Sequence, residues 1–325
     1  MSTLYPLKFT PILKEKIWGG NKLNTILNKE AKASDKIGES WEISGINGDE
    51  SIISNGFLQG NTLSEVIEIY MGELVGDKVF QKFGHEFPLL IKLIDASDIL
   101  SIQVHPDDKL SKKRHKAFGK TEMWYVLQAD KEATLISGFK QNTDQAQYTK
   151  ALNNNTLESI LAHHKVQAGD AFFIPAGRVH AIGKGIMLAE IQQTSDVTYR
   201  IYDFDRKDAN GKTRELHTDL ALDAIDFEPA QNLRIDYKGK TNEASEIANC
   251  NYFKTNLIEL DQIIEHDFYA LDSFLIYLCV EGEFDIVCGE HQVQVTTGET
   301  VLIPADLRTI KIVPKGKCKA LEVYI

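Results

Sequence analysis

One short pattern occurs twice in this chain. Gly169-Asp-Ala-Phe-Phe-Ile-Pro175-Ala176 and Gly298-Glu-Thr-Val-Leu-Ile-Pro304-Ala305 share G-[DE]-x-x-x-I-P-A, an apolar run closed by a proline. Proline cannot donate to a sheet ladder, so each copy reads as a strand that ends at a turn. Two copies of one supersecondary unit predict two related domains. The first copy runs on through Gly177 to His180, whereas an ungapped alignment puts Asp306 and Thr309 at those positions in the second. Only the first domain is therefore expected to present a ligand there.

Short alternating or β-branched runs surround both copies. They lie at 5–12, 40–44, 89–94, 100–104, 122–128, 133–138, 171–174, 185–192 and 199–203, and again at 274–280, 284–288, 292–296 and 300–303. Most are bounded by Gly, Pro, Asn or Asp, as strands of a sandwich or barrel are. Helical periodicity is confined to 61–84, to 142–162 with Thr156 as an N-cap, and to 218–227, where Leu220, Ala221, Ala224 and Ile225 face inward. The polar stretch 229–245 carries little periodicity, and a compact all-β pattern follows it. The expected division falls at about residue 235, with the helical insertions in 1–235 and a smaller domain in 236–325.

A formal net charge of −11 weighs against nucleic acid and anionic membrane surfaces as partners. It leaves room for a small anionic substrate where Lys and Arg gather locally. The chain has no run of eighteen apolar residues, which excludes a transmembrane helix. The start MSTLYPLKFTPILKEKIWGG lacks the features of a signal peptide, so a cytoplasmic location is expected. Cys250, Cys279, Cys288 and Cys318 form no C-x-x-C pair and read as free thiols of a reducing compartment.

Three segments carry the chemistry. In Leu100-Ser-Ile-Gln-Val-His-Pro-Asp-Asp108, Gln103 and His105 lie two apart, so on a strand both side chains share a face and can converge on one ion. Pro106 biases His105 toward extended backbone. In Lys120-Thr-Glu-Met-Trp-Tyr-Val-Leu127, Glu122 opens a strongly apolar strand, a costly place for a carboxylate unless a cation or partner satisfies it. Pro175 and Gly177 are spaced for a tight turn that projects His180 back over the sheet. Taken singly, these are a strand-end histidine, a solvated glutamate and a surface histidine. Together, a neutral oxygen, two imidazoles and a carboxylate make a four-ligand set suited to Zn²⁺, with other divalent ions open. Lys120 should point to the face of Glu122. On residues alone, Arg200 in Thr198-Tyr-Arg-Ile-Tyr202 reads as a surface arginine paired with Asp203 or Asp205. Lys112-Lys-Arg-His-Lys116 reads as a solvated loop, His163-His164 as an exposed helix end, and Arg206 and Arg214 as secondary candidates for an anion contact.

The spacing G-x5-P-x-G-x2-H over 169–180 matches the second cupin motif, and Gln103-Val-His105 with Glu122 is a variant of the first, H-x-H followed by Glu. SIQVHPDD, KTEMWY, PAGRVHAIG and TYRIYDFDR resemble segments of the type I mannose-6-phosphate isomerases, the shorter bacterial form in particular. Trp18-Gly-Gly20, Gly38-Glu-Ser-Trp41 and Arg214-Glu-Leu-His217 resemble that family too. The resemblance covers most of 5–230 and weakens beyond it. It implies a mainly β fold of two cupin-type β-barrel (jelly-roll) domains with a few helices inserted in the N-terminal part. It also implies an aldose–ketose isomerase that interconverts mannose 6-phosphate and fructose 6-phosphate through a cis-enediol. One Zn²⁺ per chain is implied on Gln103, His105, Glu122 and His180, with an essential Arg200 and a functional Lys120; Lys120 is open between assisting proton transfer and binding the substrate's phosphate, and Arg206 is a further candidate for the substrate. The family's K-P-E reads Lys120-Thr-Glu122 here. The general base stays open between water at the cation, a carboxylate and Lys120. Two other classes stay open as well. Two His and a carboxylate suit a non-haem iron oxygenase, although a fourth ligand at Gln103 leaves fewer positions for O₂; a non-catalytic sugar-binding cupin is the other.

Overall fold

The computed structural model describes residues 4–31, 36–207, 210–228 and 234–325; of the polar stretch 229–245, residues 229–233 lie outside the described residues. The chain forms two compact units that interleave in sequence. One takes the chain up to Ile12, Trp41–Ile91 and Asp236–Ile325; the other takes Leu13–Ser40 and Lys92–Ile235.

The second of these units carries all the residues singled out above as ligands. Five strands pair in the order Leu161–Lys165, Thr134–Phe139, His180–Ala181, Ile102–Val104, Tyr199–Tyr202. A six-stranded sheet runs Ala171–Ile174, Glu122–Ala129, Ile186–Gln193, Leu89–Ala96, Ile12–Gly20, Ile37–Ile43. Leu89–Ala96 and Ile186–Gln193 are buried along their whole length, which accounts for their nearly continuous apolar sequence. Trp18, Trp124, Val126, Leu135, Phe172 and Ile182 belong to one core cluster. Ile102, Val104, Ile136 and Ala181 belong to another, with Tyr148 and Ala221 from the helices Gln145–Asn153 and Thr218–Leu222. A period of two then leaves Gln103, Ser137 and His180 on the opposite face of the five-stranded sheet, the side of Leu135 and Ile182. Polar residues on an inner face are where chemistry is to be sought.

The other unit has sheets ordered Ala244–Asn249, Lys254–Leu260, Cys318–Tyr324, Leu275–Glu281, Thr300–Ile303 and Ile264–Asp267, Thr309–Pro314, Glu283–Cys288, His291–Thr296. The sequence repeat reappears here as a register. In the unit of Leu13–Ser40 and Lys92–Ile235, Trp124 stands opposite Phe172 on one side and Glu190 on the other. In this one, Tyr277 stands opposite Val301 and Glu322. The aromatic donates to the carboxylate in both, Trp124 Nε1 to Glu190 Oε2 at 2.9 Å and Tyr277 Oη to Glu322 Oε2 at 2.7 Å. A second donor completes each, Lys92 Nζ at 3.1 Å and Asn256 Nδ2 at 2.8 Å. The ligand positions differ: opposite Ile174 lies Glu122, and opposite the matching Ile303 lies Leu275. Thr309, matched to His180 by ungapped alignment, is exposed; the inward residue is Ile310, buried and opposite His266. A one-residue shift after the proline turns the side chains over.

Several helices differ from their sequence reading. The segment 61–84 forms three pieces, Leu63–Tyr70, Gly72–Val75 and Asp77–Phe83, and Thr62 with Glu65 forms a capping box on the first. Met71 at φ 47° and Gly76 at φ 95° break the run. Asp144 caps Gln145–Asn153, while the Thr156 side chain makes no cap bond. His163 and His164 lie on the strand Leu161–Lys165, beyond the helix they were expected to end. Lys112, Lys113, Arg114 and His115 close the helix Asp108–His115 and do not form a loop; cations there suit the helix dipole. Among the described residues, no helix is long and apolar enough to cross a membrane.

Tyr277→Phe leaves the buried Glu322 carboxylate one donor short. It should lower unfolding stability by about 1–3 kcal/mol, read by denaturant titration, with turnover in the folded protein unchanged.

Candidate metal centre and active site

The local chain explains how each ligand reaches the inner face. Asp107 caps the helix Asp108–His115 through Leu110 N at 2.8 Å, so the strand bearing Gln103 and His105 ends in a fixed exit. The chain then returns. Asp108 Oδ1 accepts from Gly119 N at 2.8 Å and from Gln193 Nε2 at 2.9 Å, and Lys120 N donates to Pro106 O at 3.2 Å. A side chain at Gly119 would meet Asp108 N at 2.5 Å, so only glycine allows the return to lie this close. This delivers Lys120 and Glu122 beside His105. The His180 turn is the predicted one: Arg178 N donates to Pro175 O at 3.1 Å, and Gly177 sits at φ 91° in the third position of the turn. Gly177 N also donates to His105 O at 2.9 Å, which ties the two histidine segments together.

The register brings the predicted residues into one row. His180 stands opposite Ser137 and Gln103, and Gln103 opposite Arg200. Directly opposed residues of an antiparallel pair share a face with Cβ atoms about 5 Å apart. Arg200, which the spacing alone left as a surface residue, therefore belongs beside the ligands.

His105, Glu122 and His180 are buried and offer ligand atoms within 4.8 Å of one another; among the described residues this is the one such cluster. His105 Nδ1 lies 3.0 Å from Val197 O and His180 Nδ1 lies 2.8 Å from Arg178 O. A carbonyl can only accept, so each Nδ1 carries the hydrogen and each Nε2 a lone pair. Those lone pairs face Glu122: His105 Nε2 is 3.6 Å from Oε2 and His180 Nε2 is 3.4 Å from Oε1. With Glu122 ionised, acceptors meet acceptors, an arrangement that a cation between them stabilises. Neither Glu122 oxygen has an aligned hydrogen-bond donor, although the Lys120 ammonium lies 2.8 Å from Oε2. That contact has the distance of an ion pair without the angle of a hydrogen bond. Lys120 Nζ is also 3.0 Å from His105 Nε2, so the ammonium places positive charge beside two of the three clustered side chains. The residues present fit a divalent cation.

Electrostatics agree with this picture. Burial holds His105 well below its ordinary range and takes His180 down to about 3, so both stay neutral ligands. Burial, then the charge of Glu190, raises Glu122 to about 7. Burial would lower Lys120, but the carboxylates of Glu122 and Glu190 outweigh it and raise the ammonium above its usual value. Glu190 is itself held low despite burial, by Lys120 and Lys92.

Sequence reasoning missed Glu190 and Lys92. The signal was present, since Glu190 interrupts the apolar run 185–192 as Glu122 interrupts its own. Arg206 is engaged elsewhere: Nη2 pairs with Asp203 Oδ1 at 2.5 Å and Nη1 donates to Ile99 O. Arg214 holds the same Asp203, Nε to Oδ2 at 2.8 Å. Asp203 is thus taken, and the Arg200 side chain donates from Nη1 to Glu215 O at 2.9 Å, with Nε buried and without a partner.

Paired antiparallel sheets with a His–Glu–His cluster on an inner face define a cupin-type protein. Residues 6–141 match the family described as phosphomannose isomerase type I, catalytic domain, and 243–325 match the mannose-6-phosphate isomerase cupin domain. The chain is 34% identical to the mannose-6-phosphate isomerase ManA of Bacillus subtilis over 97% of its own length and 98% of that protein. It is 32% identical to a mannose-6-phosphate isomerase of Streptococcus mutans, over 94% of each. The crystal structure of the mannose 6-phosphate isomerase from Bacillus subtilis superposes with a TM-score of 0.89 at 31% identity, covering 99% of this chain and all of that one. The chain belongs to the type I phosphomannose isomerases.

Gly177→Ala forces a side chain into a left-handed position with Ala224 O only 3.1 Å from the new Cβ. It should destabilise the protein by about 1–3 kcal/mol and reduce metal retention on dialysis, since the His180 turn is the element it disturbs. Asp203 is held low against its burial by Arg214 and Arg206. A depressed carboxylate contributes stability above its unfolded value of about 3.9 and loses it as pH falls through the folded value. Asp203→Asn should therefore melt below wild type at pH 7, and the gap should close below about pH 4.

Proposed function

We propose that the chain interconverts mannose 6-phosphate and fructose 6-phosphate, with one Zn²⁺ per chain held by Gln103, His105, Glu122 and His180. The observation that carries this reading is the pair of buried Glu122 oxygens, faced by two imidazole lone pairs and lacking an aligned donor. Gln103 would join through Oε1. Its Nε2 now lies 3.2 Å from His180 Nε2, and a half-turn of the carboxamide exchanges the two ends. A cation there supplies Lewis-acid polarisation of the oxygens on C1 and C2, which acidifies the C–H that must be broken on the way to a cis-enediol.

The protein groups have separate tasks. Lys120 carries its proton at Nζ, so it acts as a donor toward oxygen on which charge develops. The Lys92–Glu190 pair, at 3.1 Å, lies 3.9 Å from Lys120 through Glu190 Oε1 and holds the ammonium on the site side. Arg200 remains charged although burial and Arg214 lower its value. We assign it to the substrate's phosphate or to the developing oxyanion. Arg206 is committed to Asp203 and Ile99 O, so we assign the anion contact to Arg200 rather than to Arg206. Four free cysteines agree with a reducing compartment, and we place the protein in the cytoplasm.

Chelation should abolish turnover of fructose 6-phosphate, and added Zn²⁺ should restore it. Elemental analysis of His105→Ala and His180→Ala should show loss of the ion; full occupancy in both would refute the ligand set. Arg200→Lys keeps the charge without the planar fork, and should lower kcat/KM with metal content intact. A rise in KM alone places Arg200 on the phosphate, whereas a fall in kcat places it at the reacting carbons.

A further inference from the structure

Arg200 lies on Tyr199–Tyr202, the edge strand of its sheet. An edge strand exposes backbone N–H and C=O groups that need partners. At Arg200 both are taken by one residue. Arg200 N donates to His217 Nδ1 at 3.2 Å, and His217 N donates to Arg200 O at 2.7 Å. Because the Arg200 backbone is spent on this outer side, its pairing with Gln103 is of the non-hydrogen-bonded kind, in which opposed side chains approach most closely. Two residues earlier in the same segment, Glu215 O accepts from Arg200 Nη1 at 2.9 Å. The segment thus grips both the root and the tip of the arginine, and the orphaned Nε is left on the inner side. Its beginning is anchored in turn by Arg214 on Asp203.

His217 is also the N-cap of Thr218–Leu222, a position that favours Ser, Thr, Asp or Asn. Its side chain makes no cap bond there. The ring is turned to Arg200, and since a peptide N–H can only donate, Nδ1 carries a lone pair.

We infer that His217 is a positioning residue that sets the reach and direction of the Arg200 guanidinium toward substrate. This rests on the reading of Arg200 as a substrate-facing group. Loss of the Nδ1 acceptor frees the Arg200 N–H and lets the edge strand shift; misplacement by about 1 Å can cost up to about 100-fold in rate.

The test uses the Zn²⁺-loaded enzyme and fructose 6-phosphate. His217→Leu should lower kcat/KM by about 10-fold or more, in the same parameter that Arg200→Lys changes, with metal content unaltered. His217→Asn restores an acceptor near Nδ1 and should return to within a few-fold of wild type, at the melting temperature of His217→Leu or above. The double variant Arg200→Lys/His217→Leu should be no slower than Arg200→Lys alone. Wild-type kinetics in His217→Leu, with Arg200→Lys impaired, would overturn the positioning role and leave the Arg200 reading intact. Additive losses in the double variant, or an Asn variant as slow as Leu, would overturn it as well. Wild-type kinetics in Arg200→Ala would sink the reading of Arg200 itself, and the inference with it.

Discussion

A carboxylate buried between two imidazole lone pairs is the constraint to which the rest of the catalytic unit answers. Glu122, His105 and His180 present acceptors to one another at 3.4–3.6 Å. While Glu122 is ionised, positive charge must sit beside it, as an ion or as the Lys120 ammonium. The surrounding polar structure follows from this need: two backbone carbonyls fix the imidazole tautomers, and Glu190, kept ionised by Lys120 and Lys92, compensates the buried charge of Lys120. A unit built this way gains specificity of geometry more than stability, because buried ion pairs return little net free energy.

Hydrogen bonds between chain segments turn these separate groups into one site. Gly177 N on His105 O, Asp108 on Gly119 and Gln193, and His217 on Arg200 each join segments distant in sequence. Each is a polar bond between loops or strand ends, where packing supplies little rigidity. The register shift between Arg200 and Tyr202 falls just past the Arg200–Gln103 pair, and the pairing resumes at Tyr202 opposite Ile102.

Most of the strands and all four proposed ligands were legible because each is a local signal. Period-two spacing placed Gln103 beside His105, an ill-placed charge marked Glu122, and a proline–glycine turn announced His180. What escaped was long-range. Sequence search for a linker cannot show that 41–91 clusters with 236–325, because interleaving leaves no compositional trace. The position of Arg200 depends on its register with Gln103, and the partners of Asp203 depend on which of three nearby arginines reaches it. Thr309 was mismatched because a one-residue slip after the repeat changes face without changing the motif. Helix ends went astray where caps competed, as Asp144 did with Thr156.

The aromatic–carboxylate pair shared by the two units separates the frame of such a unit from its chemistry. At the positions matching Glu122 and His180, the unit that ends the chain carries Leu275 and Ile310. Tyr277, Glu322 and Asn256 keep the frame there, and removing any of them strands a buried charge or donor. One frame of buried polar bonds thus stands in both units, with and without the His–Glu–His cluster, and His266 lies opposite Ile310. Exchanging the residues that line such a frame costs it less than breaking one of its buried bonds, which leaves a charge or donor unpaired.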